Sequence, residues 1–235
     1  MFDGLSVLSI AIAYLIGAMP FGLFVVKKLT GKDIRSVGSG RSGATNVMRA
    51  AGLVPAIATA LFDILKGAAP IWLAKQWAPD VTWVHVLAGV AAVLGHNYSI
   101  FLRETTLDPN TGRKTIKLRG GAGGATTVGG AIGLWPWNAI IIIPLGAAIL
   151  FGIGYASVAT MSVGIMTMII MALRAHLGHS GWEYVIYGLC CFILQLWALR
   201  PNIRRLIAGT ERLVGWRAKR ITGNLTADPS GLKHE

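Results

Sequence analysis

The stretch Gly38-Ser39-Gly40-Arg41-Ser42-Gly43-Ala44-Thr45-Asn46-Val47-Met48-Arg49 concentrates the chemistry of this chain. Its glycines leave backbone amides unblocked and give the loop access to positive φ. Successive amides in such a loop form a nest that holds an anion. A helix beginning near Asn46 adds the partial positive charge of its N-terminus. Arg49 can grip a phosphate through two parallel N–H groups. Ser39, Thr45 and Asn46 bring further hydrogen-bonding side chains, so Gly38, Ser39, Gly40, Gly43, Thr45, Asn46 and Arg49 are the first candidates for an anion site. The pattern is not a Walker A loop, which argues against nucleotide binding. The competing reading is a flexible loop that carries cytoplasmic arginines.

A second glycine cluster, Arg119-Gly120-Gly121-Ala122-Gly123-Gly124, suits another anion or another part of the same ligand. It equally suits close helix packing through small residues. Asp63 and Lys66 stand three apart in an apolar run, which fits a buried ion pair or a polar cavity. His96, in Gly95-His96-Asn97-Tyr98-Ser99, is a general base or a hydrogen-bonded helix end. No carboxylate follows it at acyltransferase HxxxxD spacing, and His176 and His179 fall in an outer loop. Asn202 and Glu211 lie in Arg200-Pro201-Asn202-Ile203-Arg204-Arg205, then Gly209-Thr210-Glu211. That segment reads as a ligand contact or as a basic interfacial helix. No Cys/His spacing suggests a metal, and nothing suggests an organic cofactor.

These residues must be positioned by membrane helices. Of 235 residues, 54% are hydrophobic and only 14% charged, more apolar surface than a soluble domain of this length can hide. Apolar runs at 5–26, 54–76, 82–102, 121–135, 137–154, 157–174 and 182–199 predict seven spans. The fourth and fifth are short and separated by Trp135-Pro136-Trp137, an interfacial turn with aromatic anchors. A merged six-span alternative needs a helix continuous through Pro136. All but three of the 22 basic residues (Lys66, Lys75 and Arg174 are the exceptions) fall in 27–52, 103–119 and 200–235. In a seven-span chain those segments share one side. The positive-inside rule makes it the cytoplasm, with the N-terminus outside. The net charge of +12 is thereby a membrane signature and not a nucleic-acid one.

The first apolar run, from Leu5, has no preceding basic residue and is too long for a signal-peptide core, so it is read as a retained helix. The adjacent Cys190 and Cys191 lie in an apolar run and are expected free. Within 103–119, Asp108-Pro109-Asn110-Thr111-Gly112 reads as a turn and Lys114-Thr115-Ile116-Lys117-Leu118 as one arm of a short hairpin. The expected organisation is an all-α polytopic domain over 1–211 with a basic cytoplasmic tail over 212–235.

Taken in order, GSGRSGATNVMRAAG, FDILKG, GHNYSIFL, GGAGGAT, GYASV and NIRRLIAGTE resemble the bacterial membrane glycerol-3-phosphate acyltransferases that use acyl-phosphate, the PlsY type. The resemblance runs to about residue 211. It implies seven helices, an N-terminus outside, and a site on the cytoplasmic face of the plasma membrane. It also implies acyl transfer from acyl-phosphate to glycerol-3-phosphate, giving lysophosphatidic acid and phosphate, the first step of phospholipid synthesis. The implied partners are these two substrates and membrane lipids. No nucleic acid, acyl-carrier protein or other obligate protein partner is implied.

By position, Ser39, Asn46 and Arg49 match the family's first motif, Ser157 a serine in a GYSS-like turn, and Asn202 and Glu211 the last motif. Ser39 and Arg49 are the expected catalytic residues. Gly38, Gly40, Gly43, Thr45, Asn46, Arg119, Gly120, Gly121, Gly123, Ser157, Asn202 and Glu211 are the expected substrate contacts.

The chain departs from the pattern as a divergent member. Ala122 stands where GGKGVAT has lysine, Leu199 where the last motif has histidine, and Ser99 replaces the proline of GHxxP. The 103–119 segment is also longer than usual. Arg119, Lys114 and Lys117 are the expected substitutes for the lysine. Two rivals remain: a relative that binds phospholigands without turnover, motivated by Ala122 and Leu199, and a transporter of phosphorylated metabolites using glycine-broken helices.

Overall fold

A computed structural model describes residues 3–107, 112–215 and 218. It is helical, with one two-stranded hairpin. The helices are α1 (Gly4–Ala18), α2 (Phe21–Thr30), α3 (Ala44–Ala51), α4 (Leu53–Trp77), α5 (Thr82–Asn97), α6 (Gly124–Leu134), α7 (Asn138–Ile153), α8 (Ala156–His176), α9 (Glu183–Ala198) and α10 (Arg200–Ile207). Strands β1 (Arg103–Leu107) and β2 (Lys114–Leu118) pair antiparallel, Arg103 opposite Leu118 and Leu107 opposite Lys114. The expected arm is therefore present; most of its turn, 108–111, lies outside the described residues.

The first expected span is broken. Pro20 cannot donate to the helix, so α1 stops and α2 restarts at Phe21. The break frees two carbonyls that lipid would leave bare. Ser99 Oγ donates to Ala18 O at 2.5 Å, and Lys66 Nζ donates to Met19 O at 2.8 Å. Read through the break, 4–30 remains long and apolar enough to cross a membrane, as are α4, the stretch 82–102 and α8. The pair α9 and α10 makes a fifth if it counts as one span, although it bends by 68° at Leu199.

Seven full-length spans are thus not what the helix lengths give. At ~1.5 Å per residue, α6 is about 16 Å long and α7 about 24 Å, against a hydrocarbon core of about 30 Å. Helix α6 is short because its expected first turn, 121–123, is non-helical glycine-rich backbone, with Gly123 left-handed at φ 85°. This irregular backbone is tolerated because it is packed inside the protein.

Close approach explains several glycines. A methyl on Gly67 of α4 would overlap Thr126 O of α6, and one on Gly129 would overlap Ile64 O, so the two helices touch backbone to backbone. Lys75 Nζ, near the end of α4, donates to Leu134 O at 2.9 Å and ties down the far end of α6. The main core gathers Ile71, Val86, Val93, Val128, Ile142, Met171 and Tyr187 from α4 to α9. Two polar links cross it: Tyr187 Oη to Thr127 O at 3.0 Å and Gln195 Nε2 to Thr127 Oγ1 at 2.9 Å. Cys190 and Cys191 are both free, as expected. Along α4, Val54, Ile57, Leu61, Leu65 and Trp72 point outward, an apolar stripe suited to lipid and not to water.

Beyond α10 the chain folds back. Leu213 pairs with Tyr155, Val214 N donates to Gly154 O at 2.8 Å, and Val214 is buried. The start of the expected tail, 212–215, therefore packs on the turn between α7 and α8. The rest, except 218, lies outside the described residues.

Candidate active site

Asn46 makes more hydrogen bonds to the loop from Gly31 to Gly43 than any other side chain outside it. Asn46, in the first turn of α3, donates through Nδ2 to Val37 O and Arg41 O, both at 2.9 Å, and more weakly to Ile34 O at 3.3 Å. Its Oδ1 accepts from Ser39 N at 3.1 Å. Gly38 must be glycine twice over: its φ is 52°, and a side chain would run into Asn46 Oδ1 and Arg49. Gly40, at φ 68°, packs against Arg35 O and the Arg119 guanidinium. Arg119 in turn donates to Ser39 O at 2.7 Å.

Under this loop lies a cavity of about 140 Å³, several times the room one water needs. Three helices begin at its wall: α3 with Gly43, Ala44 and Thr45, α6 with Gly123, Gly124 and Ala125, and α8 with Ala156 and Ser157. None of the three has a side-chain cap or an acidic residue in its first turn. First-turn N–H groups of a helix lack intrahelical partners, apart here from Asn46 N, which donates to Gly43 O at 2.9 Å, and the three positive dipole ends meet at one place. Ser39, Arg41 and Arg49 complete the loop side, and Thr160, Asn202 and Glu211 line the wall as well. Burial lowers the pKa of the Arg49 guanidinium, with Arg212 adding to the effect and Glu211 opposing it. Ser157 Oγ is buried without a hydrogen-bond partner, so its hydroxyl is available to a ligand.

Two acidic groups reach the cavity, each already engaged. Glu211 accepts from Asn202 Nδ2 at 2.8 Å and from Arg205 Nε at 3.0 Å. Asp63 pairs with Lys66 Nζ at 2.7 Å, and His96 Nδ1 stands 3.6 Å from the same carboxylate oxygen. The structure thus answers the open question about Asp63 and Lys66: they form a buried ion pair whose acid faces the cavity.

Of the expected residues, Ser39, Gly43, Thr45, Asn46, Arg49, Gly123, Ser157, Asn202 and Glu211 converge on this cavity. Asn46 does so as the pin of the loop, its amide already bonded. Gly38 and Gly40 shape the loop behind the wall. The amides of Gly120 and Gly121 are engaged within the protein: they donate to Asn97 O and His96 O, both at 2.9 Å, and a methyl on either would overlap α5. Arg119 faces a neighbouring cleft of about 680 Å³, shared with Lys117, Arg200 and Arg204. Lys114 lies on the exposed strand β2. None of the three expected substitutes for the lysine lines the cavity.

Sequence reasoning assigned no site role to Arg41, Thr160, Ala44 or Ala156, took Gly124 only as part of the second glycine cluster, and left Asp63 and His96 open. The only advance signal was the cost of a charged pair, Asp63 and Lys66, inside an apolar run. Ala122 and Leu199 do line the cavity, so two of the departures from the family pattern fall inside the site, while Ser99 and the 103–119 segment do not line it.

The sequence model of the family described as glycerol-3-phosphate acyltransferase matches residues 7–209. A glycerol-3-phosphate acyltransferase of Thermus thermophilus is 38% identical over 216 residues, covering 91% of this chain and 98% of its own. One from Myxococcus xanthus is 36% identical over 203 residues, covering 86% and 96%. Among solved structures, the glycerol 3-phosphate form of PlsY, an integral membrane glycerol 3-phosphate acyltransferase, aligns with a TM-score of 0.75 at 29% identity, covering 96% of this chain and 100% of that one. Its lysophosphatidic acid form aligns with a TM-score of 0.74. With the order of motifs, the helical architecture and nearly the full length of its relatives in agreement, this chain belongs to the glycerol-3-phosphate acyltransferase family.

Proposed function

We propose that the cavity transfers an acyl group from acyl-phosphate to glycerol-3-phosphate and releases lysophosphatidic acid and phosphate. The observation that carries this reading is the meeting of three uncapped helix N-termini with Arg49 and Ser39 around one small cavity. The chemistry asked of such a site is to bring two phosphate-bearing substrates together against their repulsion and to stabilise a developing oxyanion.

In the proposed step, the glycerol hydroxyl oxygen attacks the acyl carbonyl. The carbon–oxygen bond to phosphate breaks, and the hydroxyl proton passes to a phosphate oxygen of the substrates. The side chains needed are donors: Arg49 on a phosphate, and Ser39 on a phosphate or on the carbonyl oxygen. Ser157 adds a free hydroxyl. Asn202, held by Glu211, presents its carbonyl end to the glycerol moiety. No Ser-His-Asp triad is required.

The finer topology in this reading has seven crossings, with the N-terminus outside and the cavity on the cytoplasmic side of the plasma membrane. Several contacts support it. The Arg119–Ser39 bond puts the hairpin beside the first loop, Arg41 reaches Ala198 O at the end of α9, and Val214 reaches Gly154. Basic segments that touch share a side. Helix α6 runs from the cavity outward to Lys75, with 119–123 completing its crossing as irregular backbone, and α7 returns to Gly154.

The test is phosphate release by purified protein in lipid from palmitoyl-phosphate and glycerol-3-phosphate, beside Arg49→Ala. Release that requires glycerol-3-phosphate and disappears in the variant is expected. No release from folded protein, with an active relative as control, refutes the reading and favours the binding-only relative suggested by Ala122 and Leu199.

A further inference from the structure

The geometry points to Arg41 as the cation that receives a substrate phosphate in this chain. The inference rests on the acyl-transfer reading above and deepens it. Arg41 Nη1 donates to Gly121 O at 2.8 Å, and Nη2 donates to Ala198 O. Those carbonyls belong to the residues immediately before Ala122 and Leu199. The guanidinium therefore stands at the two cavity positions where the resembling family carries lysine and histidine and this chain carries neither. It arrives from a different element, the 31–43 loop, at the place that lacks its charge.

Its environment suits a ligand better than a structural role alone. The hydrogen bonds that hold it go to neutral carbonyls. The charges acting on it include Arg119 and Arg205, which both oppose its own. Burial, with Arg119 second, pushes its pKa down to about 10. A buried guanidinium with cationic neighbours is unfavourable until an anion arrives. Its five N–H groups leave donors beyond the two that hold the carbonyls, in the planar fork that fits phosphate. Arg41 also lines both the cavity and the adjacent basic cleft, so it closes the wall between them.

The experiment must separate charge from bracing. Arg41→Gln keeps an amide able to donate to the carbonyls and removes the charge. Thermal stability is followed with inorganic phosphate and with glycerol-3-phosphate, alongside kcat and KM for both substrates. Wild type is expected to be stabilised by both phosphates. Arg41→Gln is expected to lose that shift and about 10- to 100-fold in kcat/KM, the size of a lost charge-assisted hydrogen bond. Adding Ala122→Lys to Arg41→Gln returns a cation to the same spot from the backbone just before α6 and is expected to restore at least part of both. An unchanged shift and kcat/KM in Arg41→Gln, or a loss that Ala122→Lys does not repair, overturns the inference. Should Arg41→Gln not fold, Arg41→Lys serves instead: a raised KM with the shift retained supports the assignment, and a wild-type KM for both substrates overturns it. A wild type that shows the Arg41-dependent shift without turnover sinks acyl transfer and leaves the anion site standing.

Discussion

Replacing Asn46 by alanine removes three hydrogen bonds of the 31–43 loop in one step and leaves those of Arg41 and Arg119 in place. Nδ2 has two hydrogens and three acceptors, Val37 O and Arg41 O at 2.9 Å and Ile34 O at 3.3 Å, so its donation amounts to two good bonds, one of them shared. Oδ1 supplies a third by accepting from Ser39 N. At ~1 kcal/mol net per bond, the loss is about 3 kcal/mol. The bonds serve one loop, so the effect falls first on local opening, and amide exchange in 34–43 should accelerate by roughly 150-fold. Turnover should fall with it, because Ser39 and Arg41 ride on the same loop. Arg49, rooted in α3, should keep its place.

Asn46→Asp sharpens the test. It retains the acceptor for Ser39 N and sets a charged oxygen against three carbonyl oxygens. Opening and activity should be at least as damaged as in Asn46→Ala. The measurements are hydrogen exchange read by mass spectrometry and phosphate release. If the Asn46→Asp variant keeps more protection and more activity than the Asn46→Ala variant, the amide donors are not the anchor and the reasoning fails.

Three other outcomes are expected. Lys66→Met leaves Asp63 buried without its cation and should cost about 3–5 kcal/mol, while Asp63→Asn with Lys66→Met should cost less; equal unfolding midpoints for single and double variants would show that the pair is not coupled. Gly121→Ala drives a methyl into buried His96 and should destabilise by about 1–3 kcal/mol, whereas Gly4→Ala, with open space around it, should be close to neutral in the same thermal assay. The Arg35 side chain beside Asp33 lowers that carboxyl's pKa below 3.8, so the pair's stabilisation is full above that pH and lost as pH falls through the lower folded value; Asp33→Asn should flatten that acid limb of the melting curve. Both side chains are partly exposed and the effect is small and salt-sensitive, so an acid limb that persists unchanged in Asp33→Asn assigns it to other groups.

Much of this architecture was legible because lipid imposes simple rules. Apolar runs located α4, α8 and α9 within a few residues, Trp135-Pro136-Trp137 marked the turn before α7, and β-branched alternation placed β2. The break at Pro20 was missed because the run on both sides stays apolar, and hydropathy does not register a lost N–H. Helix α6 was drawn too long because glycine counts as apolar, yet 121–123 is non-helical, with Ala122 and Gly123 on the cavity wall. In the site, motif order led to Ser39, Arg49, Ser157, Asn202 and Glu211. Roles that depend on where a hydrogen bond goes were not readable. Gly120 and Gly121 looked like amide donors and proved to be contact surfaces for α5. Arg41 looked like one more cytoplasmic arginine, because its proximity to Ala122 and Leu199 joins segments about 80 and 157 residues away in the chain.

The bond from Lys75 to Leu134 O gives the fold a reference point. Helix α6 is fixed at that end and opens into the cavity at the other, which makes it a rigid spacer of about 16 Å. In the proposed topology the floor of the cavity therefore keeps a set distance from the membrane surface at the Lys75 end, whatever the lipid. On that proposal a thicker bilayer leaves the distance alone and instead draws the loop, the hairpin and α10 deeper among the headgroups. Lipid thickness then sets the height of the doorway and leaves the cavity floor where it was.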